Sequence, residues 1–173
     1  MVPTYTVSPQ LQEVTVACLK SFRPYVDEII VCEDTNTYIR ELHDLADIYI
    51  THPNMQLARN ANLGWAAATG DYISEASADT TLIEGDPKLL CVPEKFNMPQ
   101  VLRRNVTETC CYFVLSREMY QKYGIWEPYL KWKYTDTHLF NKYRPFMSMD
   151  HRVIIDTENA SPGMFQRAKG PEE

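Results

Sequence analysis

The sequence predicts an α/β protein, a three-layer α/β/α sandwich with a mostly parallel central sheet. Short apolar runs alternate with helix-like segments along the 173 residues, which is the pattern of strands joined by helices. After its first residue, the run EIIVC at 28–32 is apolar and largely β-branched, as expected of a parallel strand covered on both faces. A hydrophobic content of 45% is enough for one domain to bury a sizeable core.

The first helix is marked by its amino-terminal signal. Ser8 followed by Pro9 is typical of an N-cap with proline in the first helical position, and apolar residues then recur at helical spacing. The pattern predicts a helix over 9–22. The same periodicity predicts the other elements of the first half: helices over 39–45 and 57–69, and strands over 28–32, 47–50 and 71–76. Gly70 is expected to end its helix as a left-handed C-cap.

The second half of the chain is less regular, with prolines at positions 87, 93, 99 and 128. Its predicted elements are strands over 111–115 and 153–155 and helices over 116–124 and 135–143. Ser116 is expected to cap the first of these helices and Gly124 to end it. Aromatic residues crowd 125–134, and the tail over 166–173 is expected to be loose.

The charge balance excludes one class of partner. Seventeen Lys and Arg against twenty-three Asp and Glu give a net charge of -6, the wrong sign for binding phosphate backbones, so no nucleic-acid partner is expected. No window approaches the roughly 20 apolar residues of a transmembrane segment. The amino terminus has neither the basic segment nor the apolar run of a secretory signal. The expected location is therefore the cytoplasm, either free or peripheral at a membrane face.

Acidic residues at strand ends are the first candidates for chemistry, because ligands of an open parallel sheet gather beyond the carboxyl ends of its strands. Asp34 follows one predicted strand, Asp79 follows another, and Asp136 lies beside the aromatic stretch. Taken alone, each is more often a turn former or a helix cap. Further acids that the sequence does not rank are Glu33, Asp156 and Glu158.

Two ordered motifs shift the balance toward function. Residues 58–64 read ARNANLG and residues 68–73 read ATGDYI, which together are close to the string ARNxGxxxAxGDYI. They follow VPTY at 2–5 and DEIIV at 27–31. In this order the residues resemble the inverting nucleotide-sugar glycosyltransferases with the GT-A fold, a group like glycosyltransferase family 2. The resemblance covers nearly the whole chain as one domain, with a nucleotide-binding half over about 1–80 and an acceptor and catalytic half over about 81–165.

The resemblance implies transfer of a sugar from a nucleoside-diphosphate donor to a glycan, a glycoconjugate or another hydroxyl acceptor, with inversion and with Mn²⁺ or Mg²⁺ as cofactor. It implies Asp136 as the catalytic base, because YTDTHL at 134–139 is similar to the family's base motif. It also implies a metal site at Asp79 and Ser77. The implied nucleotide contacts are Pro3, Thr4, Tyr5, Asp34, Arg59, Asn62 and Ala78. The aromatic residues implied to contact the acceptor or the sugar are Trp126, Trp132 and Tyr134.

Three departures from the family pattern bear on activity. SAD at 77–79 stands where the family has Asp-x-Asp, so one carboxylate is lost and metal affinity should be weaker. YTDTHL keeps only the acid expected to be the base. The first strand is cut to its last residues, so either the chain begins short or residues upstream are missing.

Elementary chemistry agrees with these roles and leaves one alternative open. A diphosphate leaving group needs a cation or fixed positive groups, and Arg59 can make a forked contact with phosphate. A carboxylate at Asp136 can take the proton of an acceptor hydroxyl. The alternative is a catalytically degenerate module that binds a nucleotide sugar or a glycan without turnover. A flavodoxin-like or dehydrogenase-like domain is disfavoured, because no Gly-rich phosphate loop follows the first strand.

Overall fold

The computed structural model describes residues 1–35, 37–53, 56–102, 111–130 and 135–157. The strands of this part are β1 (Val2–Thr4), β2 (Ile30–Glu33), β3 (Ile48–Thr51), β4 (Tyr72–Ala76), β5 (Thr81–Glu84), β6 (Phe96–Val101), β7 (Tyr112–Ser116) and β8 (Met147–Asp156). The α-helices are α1 (Pro9–Phe22), α2 (Arg40–Leu45), α3 (Gln56–Ala67), α4 (Arg117–Tyr123) and α5 (Thr135–Tyr143).

The strands of the first half are parallel. β1 pairs with β2 and β2 pairs with β3, both in parallel register. Two backbone hydrogen bonds then join Met1, which directly precedes β1, to β4. The Met1 nitrogen donates to the Ser74 carbonyl at 2.6 Å, and the Ala76 nitrogen donates to the Met1 carbonyl at 3.1 Å. This pattern is that of a parallel pair, so β3, β2, β1 and β4 run side by side in the same direction.

The strands of the second half form a mixed sheet in the order β4-β7-β6-β8-β5. β7 is antiparallel to both β4 and β6, β5 is antiparallel to β8, and β6 and β8 are parallel. The predicted parallel sheet is therefore found in the first half of the chain.

Helices cover both faces of the sheet. On one face Leu19 of α1 and Leu42 of α2 pack into a core cluster with Val31. On the other face Trp65 of α3 and Leu139 of α5 pack into a second cluster, which also contains residues of β2, β6 and β7. Two apolar clusters on opposite faces of one sheet define three layers, so the predicted α/β/α sandwich is confirmed.

Two of the helices have the bounds that the sequence predicts. The Ser8 side chain accepts a hydrogen bond from the Leu11 nitrogen at 3.3 Å, and α1 has the predicted bounds. The helix predicted over 135–143 is α5. In α3, a side chain at Gly64 would place its Cβ only 2.8 Å from the Cys32 sulfur, so glycine allows this helix to lie close against the sheet.

Two local predictions were wrong, and two strands were missed. α3 ends at Ala67, and Gly70 does not adopt a left-handed conformation. Instead the Arg117 guanidinium donates to the carbonyls of Ala68 and Gly70, each at 2.7 Å, and satisfies the backbone beyond the helix end. β5 and β6 were not predicted. β6 reads FNMPQV and contains Pro99, which sits where the register with β8 shifts, a position at which a strand tolerates proline.

Candidate functional site

The carboxyl ends of β1, β2 and β4 meet at one edge of the sheet because these strands are parallel. After β1 and β2 the chain crosses through α1 and α2 on one face, and it then crosses to β4 through α3 on the other face. The direction of winding therefore changes between β1 and β4. Ligands of open α/β sheets bind at such a change, beyond the strand ends. Asp34 and Asp79 follow two of these strand ends, as predicted.

A buried acid organises the loop after β1. Glu33 is fully buried; its carboxylate accepts from the Thr4 hydroxyl at 2.6 Å and from the Thr6 nitrogen at 2.9 Å. The Asp34 nitrogen donates to the Thr4 carbonyl at 2.9 Å and extends the contact between β1 and β2. The loop is thus held at both ends, and Tyr5 between them remains 46% exposed. Pro3 is buried.

Asp34 links the end of β2 to the start of α3. Its side chain is half-buried and accepts a hydrogen bond from the Gln56 nitrogen at 3.1 Å. A carboxylate at this position satisfies a backbone donor that the helix itself leaves open. The structure therefore gives Asp34 a capping contact at the same edge where a nucleotide contact is predicted.

Two predicted nucleotide contacts on α3 hold another segment of the protein. The Arg59 side chain is exposed, and its Nε donates to the Pro128 carbonyl at 3.3 Å. The Asn62 amide donates to the Trp126 carbonyl at 3.0 Å and accepts from the Trp126 nitrogen at 3.3 Å. Both polar groups of Asn62 are thus engaged by the backbone of Trp126.

Trp126 lies in the core. Its side chain is 4% exposed, and its indole nitrogen donates to both oxygens of Glu75, at 3.0 Å and 2.8 Å. In this position the ring cannot stack on a sugar, which argues against the predicted sugar contact. The reason is that an indole N–H needs an acceptor when buried, and a carboxylate in β4 provides it.

Glu75 is the residue of this region that the sequence prediction missed. It is 3% exposed, and it also accepts from the Trp65 indole nitrogen at 2.5 Å. Burial raises the pKa of the Glu75 carboxyl to about 7, the two indole donors oppose the rise, and the charge of Asp136 adds to it. A signal was present in the sequence: Glu75 shares its strand face with buried Ile73, where alternation predicts an apolar residue.

The turn after β4 carries the predicted metal residues. The Ser77 nitrogen donates to the Cys111 carbonyl at 2.8 Å, and the Thr80 nitrogen donates back to the Ser77 carbonyl at 2.9 Å. Asp79 is half-buried within this turn, as is Ala78. Among the residues that the structure describes, no group of three or more His, Cys, Asp or Glu side chains is arranged to hold a metal ion. Any cation here would need further oxygen ligands from a substrate.

Asp136 lies in the first turn of α5, and its side chain is exposed. Leu139 of the same helix packs in one core cluster with Trp65 of α3, so α5 lies on the same side of the sheet as α3. The other two predicted aromatic contacts, Trp132 and Tyr134, lie outside the described residues.

A shallow groove of about 570 Å³ lies between α1 and α2 and is lined by side chains such as Gln12, Tyr38 and Arg40. It contains none of the predicted site residues. No helix in the described ranges is long and apolar enough to cross a membrane.

Comparisons with solved structures show the same fold. Staphylococcus aureus TarS 1-349 in complex with UDP is 12% identical, with a TM-score of 0.64 over 96% of this chain and 61% of that chain. The same protein in complex with UDP-GlcNAc is 11% identical, with a TM-score of 0.65 over 92% and 58%. The mannosyltransferase PcManGT from Pyrobaculum calidifontis, in complex with GDP-Man and Mn²⁺, is 18% identical, with a TM-score of 0.65 over 93% and 56%.

These identities establish the fold alone, and the chain spans little more than half the length of the three structures. No curated protein sequence matches the chain. A family model described as "Glycosyl transferase family 2" matches residues 1–91 of the chain. That match confirms the resemblance carried by VPTY, DEIIV and the ARNANLG motif, and the structural likeness confirms the GT-A fold. Because the match covers more than half of its residues, the chain belongs to glycosyl transferase family 2.

Proposed function

We propose that this chain is the donor-binding and catalytic domain of an inverting glycosyltransferase, which moves a sugar from a nucleoside diphosphate to a hydroxyl of a glycan or glycoconjugate. Family membership supports the reaction class. The observation that carries the proposal is the meeting of the β1, β2 and β4 ends at one edge, with Asp34 and Asp79 following two of them. The whole protein's acceptor and partners belong to the proposal, because the chain spans only part of its structural neighbours.

The base and ribose of the donor bind beside the loop after β1. Tyr5 is exposed there and offers a ring face for stacking on the base, while Asp34 accepts hydrogen bonds from the base or the ribose. Thr4 and Pro3 contribute through a backbone that Glu33 holds in place. UDP and GDP are the first nucleotides to test, since the structural neighbours bind UDP, UDP-GlcNAc and GDP-Man.

The diphosphate lies toward the turn after β4, with Asp79 as the carboxylate that meets a divalent cation and Ser77 in support. One carboxylate fits Mg²⁺ or Mn²⁺, which protein sites commonly hold through one or two carboxylates plus substrate phosphates. When bound, the cation would neutralise the charge that develops on the leaving diphosphate. Arg59 supplies a second positive charge at this edge, and Ala78 contributes its backbone.

Asp136 accepts the proton of the acceptor hydroxyl. The acceptor oxygen then forms a bond to the anomeric carbon while the bond to the diphosphate breaks, and attack from the opposite face inverts the configuration. The exposure of Asp136 at the first turn of α5 leaves its carboxylate accessible to an acceptor. Trp132 and Tyr134, which precede it in the chain, are proposed to contact the sugar or the acceptor.

The experiment compares Asp136→Asn with Glu118→Gln, which removes an exposed acid from the first turn of the neighbouring helix α4. Release of nucleoside diphosphate from UDP-GlcNAc and GDP-Man is measured with Mn²⁺ and with a chelator. Asp136→Asn should lower turnover by about 10²- to 10⁴-fold, the range of a lost general base, with donor binding retained. Glu118→Gln should match the wild-type chain. Equal turnover in both variants would exclude Asp136 as the base.

The alternative is a binding module of the same fold without turnover. The loss of one carboxylate at Ser77 is the observation that favours it, because a weaker metal site stabilises the leaving group less. Nucleotide binding without release from either donor would support this alternative. Absence of nucleotide binding would contradict both forms of the proposal.

A further inference from the structure

The segment 124–128 between α4 and α5 is held by residues on one face of α3. Arg59 contacts the Pro128 carbonyl, and Asn62, three residues on, contacts both backbone groups of Trp126. Trp65, three residues further, lies on the same face and reaches Glu75. The helix that follows the donor-binding strands thus supports the segment that leads toward the proposed base.

Glu75 completes this support from the sheet. It lies within β4, and its two oxygens accept from the indole nitrogens of Trp65 and Trp126 at 2.5–3.0 Å. One carboxylate therefore ties a helix of the donor half to the Trp126 side chain. A buried carboxylate is costly to desolvate, and the two indole N–H donors offset part of that cost.

The same segment is bound directly to α5. The Lys142 ammonium donates to the Ile125 carbonyl at 3.0 Å, and the Tyr143 hydroxyl donates to the Gly124 carbonyl at 2.5 Å. Trp126 follows these two residues in the chain. Glu75 therefore holds the Trp126 side chain, and the two residues before Trp126 are hydrogen-bonded to the helix that carries Asp136.

We infer that Glu75 is a positioning residue for sugar transfer: through Trp126 it fixes the segment 124–128 and so sets where α5 and Asp136 stand relative to the bound donor. The inference rests on the proposed function. Glu75 touches no ligand, since both it and Trp126 are almost fully buried. Its loss should therefore impair transfer without weakening the binding of the nucleotide, whose proposed contacts lie on β1, β2 and the turn after β4.

Two matched variants test the inference on the full chain. Trp126→Phe and Trp65→Phe each remove one indole N–H from Glu75 and leave a similar void, but only the first releases the segment. Hydrogen–deuterium exchange should show the amides of 124–130 exchanging about tenfold faster in Trp126→Phe, as expected for a lost hydrogen bond to a charged group. Trp65→Phe should leave these amides within about threefold of the wild-type rates. Equal effects in the two variants would overturn the inference.

A second arm separates positioning from plain stability. In Trp126→Phe, affinity for UDP or GDP should stay within about twofold while release from the sugar donor falls about tenfold or more. Glu75→Gln keeps an acceptor oxygen, so the amides of 124–130 should remain protected from exchange in this variant. In Glu75→Leu, which has no acceptor, they should lose that protection. Parallel loss of affinity and turnover would show a merely structural role and refute the inference. If the wild-type chain binds nucleotide but releases none from a donor, the proposed transfer fails, and the exchange result still decides whether Glu75 holds the segment.

Discussion

Replacing Glu75 with glutamine isolates the energetic consequence of burying a carboxyl in β4. Burial raises the pKa of this group from 4.5 to about 7 in the folded chain. The folded state therefore holds a proton that the unfolded state releases between these two pH values. Stability from this group is fully present below pH 4.5, falls as the pH rises, and is lost above about pH 7. At about 1.4 kcal/mol per pKa unit, the loss between pH 5 and pH 8 is about 2–3 kcal/mol.

Urea unfolding of the wild-type chain and of Glu75→Gln at pH 5 and pH 8 measures this loss. The contributions of other titrating groups cancel when the free energies of unfolding of the two proteins are subtracted. Between pH 5 and pH 8 the wild-type chain should therefore lose about 2–3 kcal/mol of stability relative to Glu75→Gln. Glu84→Gln on β5 is the control, because the Glu84 side chain is exposed in the folded chain. The difference in free energy of unfolding between this variant and the wild type should hardly change from pH 5 to pH 8. A constant difference between wild type and Glu75→Gln would refute the claim that Glu75 is buried.

Other substitutions test the proposed contacts one at a time. Asp34→Ala should weaken UDP or GDP binding by about tenfold in calorimetry, through the loss of a charged hydrogen bond; unchanged affinity would remove Asp34 from the site. Asp79→Asn should abolish any increase of nucleotide affinity by Mn²⁺, whereas Ser77→Asp should enlarge it; a Mn²⁺ effect that survives in Asp79→Asn would place the cation elsewhere. Burial raises the pKa of both Cys18 and Cys32 to about 12, so neither thiol should react with a thiolate-directed reagent at pH 8 before unfolding, as followed by site-resolved mass spectrometry.

Local signals predicted the first half of the fold well. The Ser8-Pro9 pair and the apolar spacing after it determine α1 from adjacent residues, and the apolar run before Glu33 needs no distant partner to read as a buried strand. β6 was missed for the opposite reason. Its Asn97 and Pro99 are poor strand residues, and the strand exists because β7 and β8 lie on either side of it.

The positions of the candidate residues were predictable where they depend on strand order and were not where they depend on packing. Asp34 and Asp79 could be placed because parallel strands end at one edge. The roles of Asn62 and Trp126 could not, because their partners are distant in the sequence: Asn62 meets the backbone of Trp126, and Trp126 meets Glu75. No local pattern encodes which buried acid will satisfy which indole.

A crystal structure of the chain with UDP or GDP and Mn²⁺ would show whether the carboxyl edge of β1, β2 and β4 binds the donor. We expect the base beside Tyr5 and Asp34, with the diphosphate at the turn that carries Asp79. A nucleotide bound instead in the groove between α1 and α2, or an empty carboxyl edge at millimolar nucleotide, would show that the donor does not bind there.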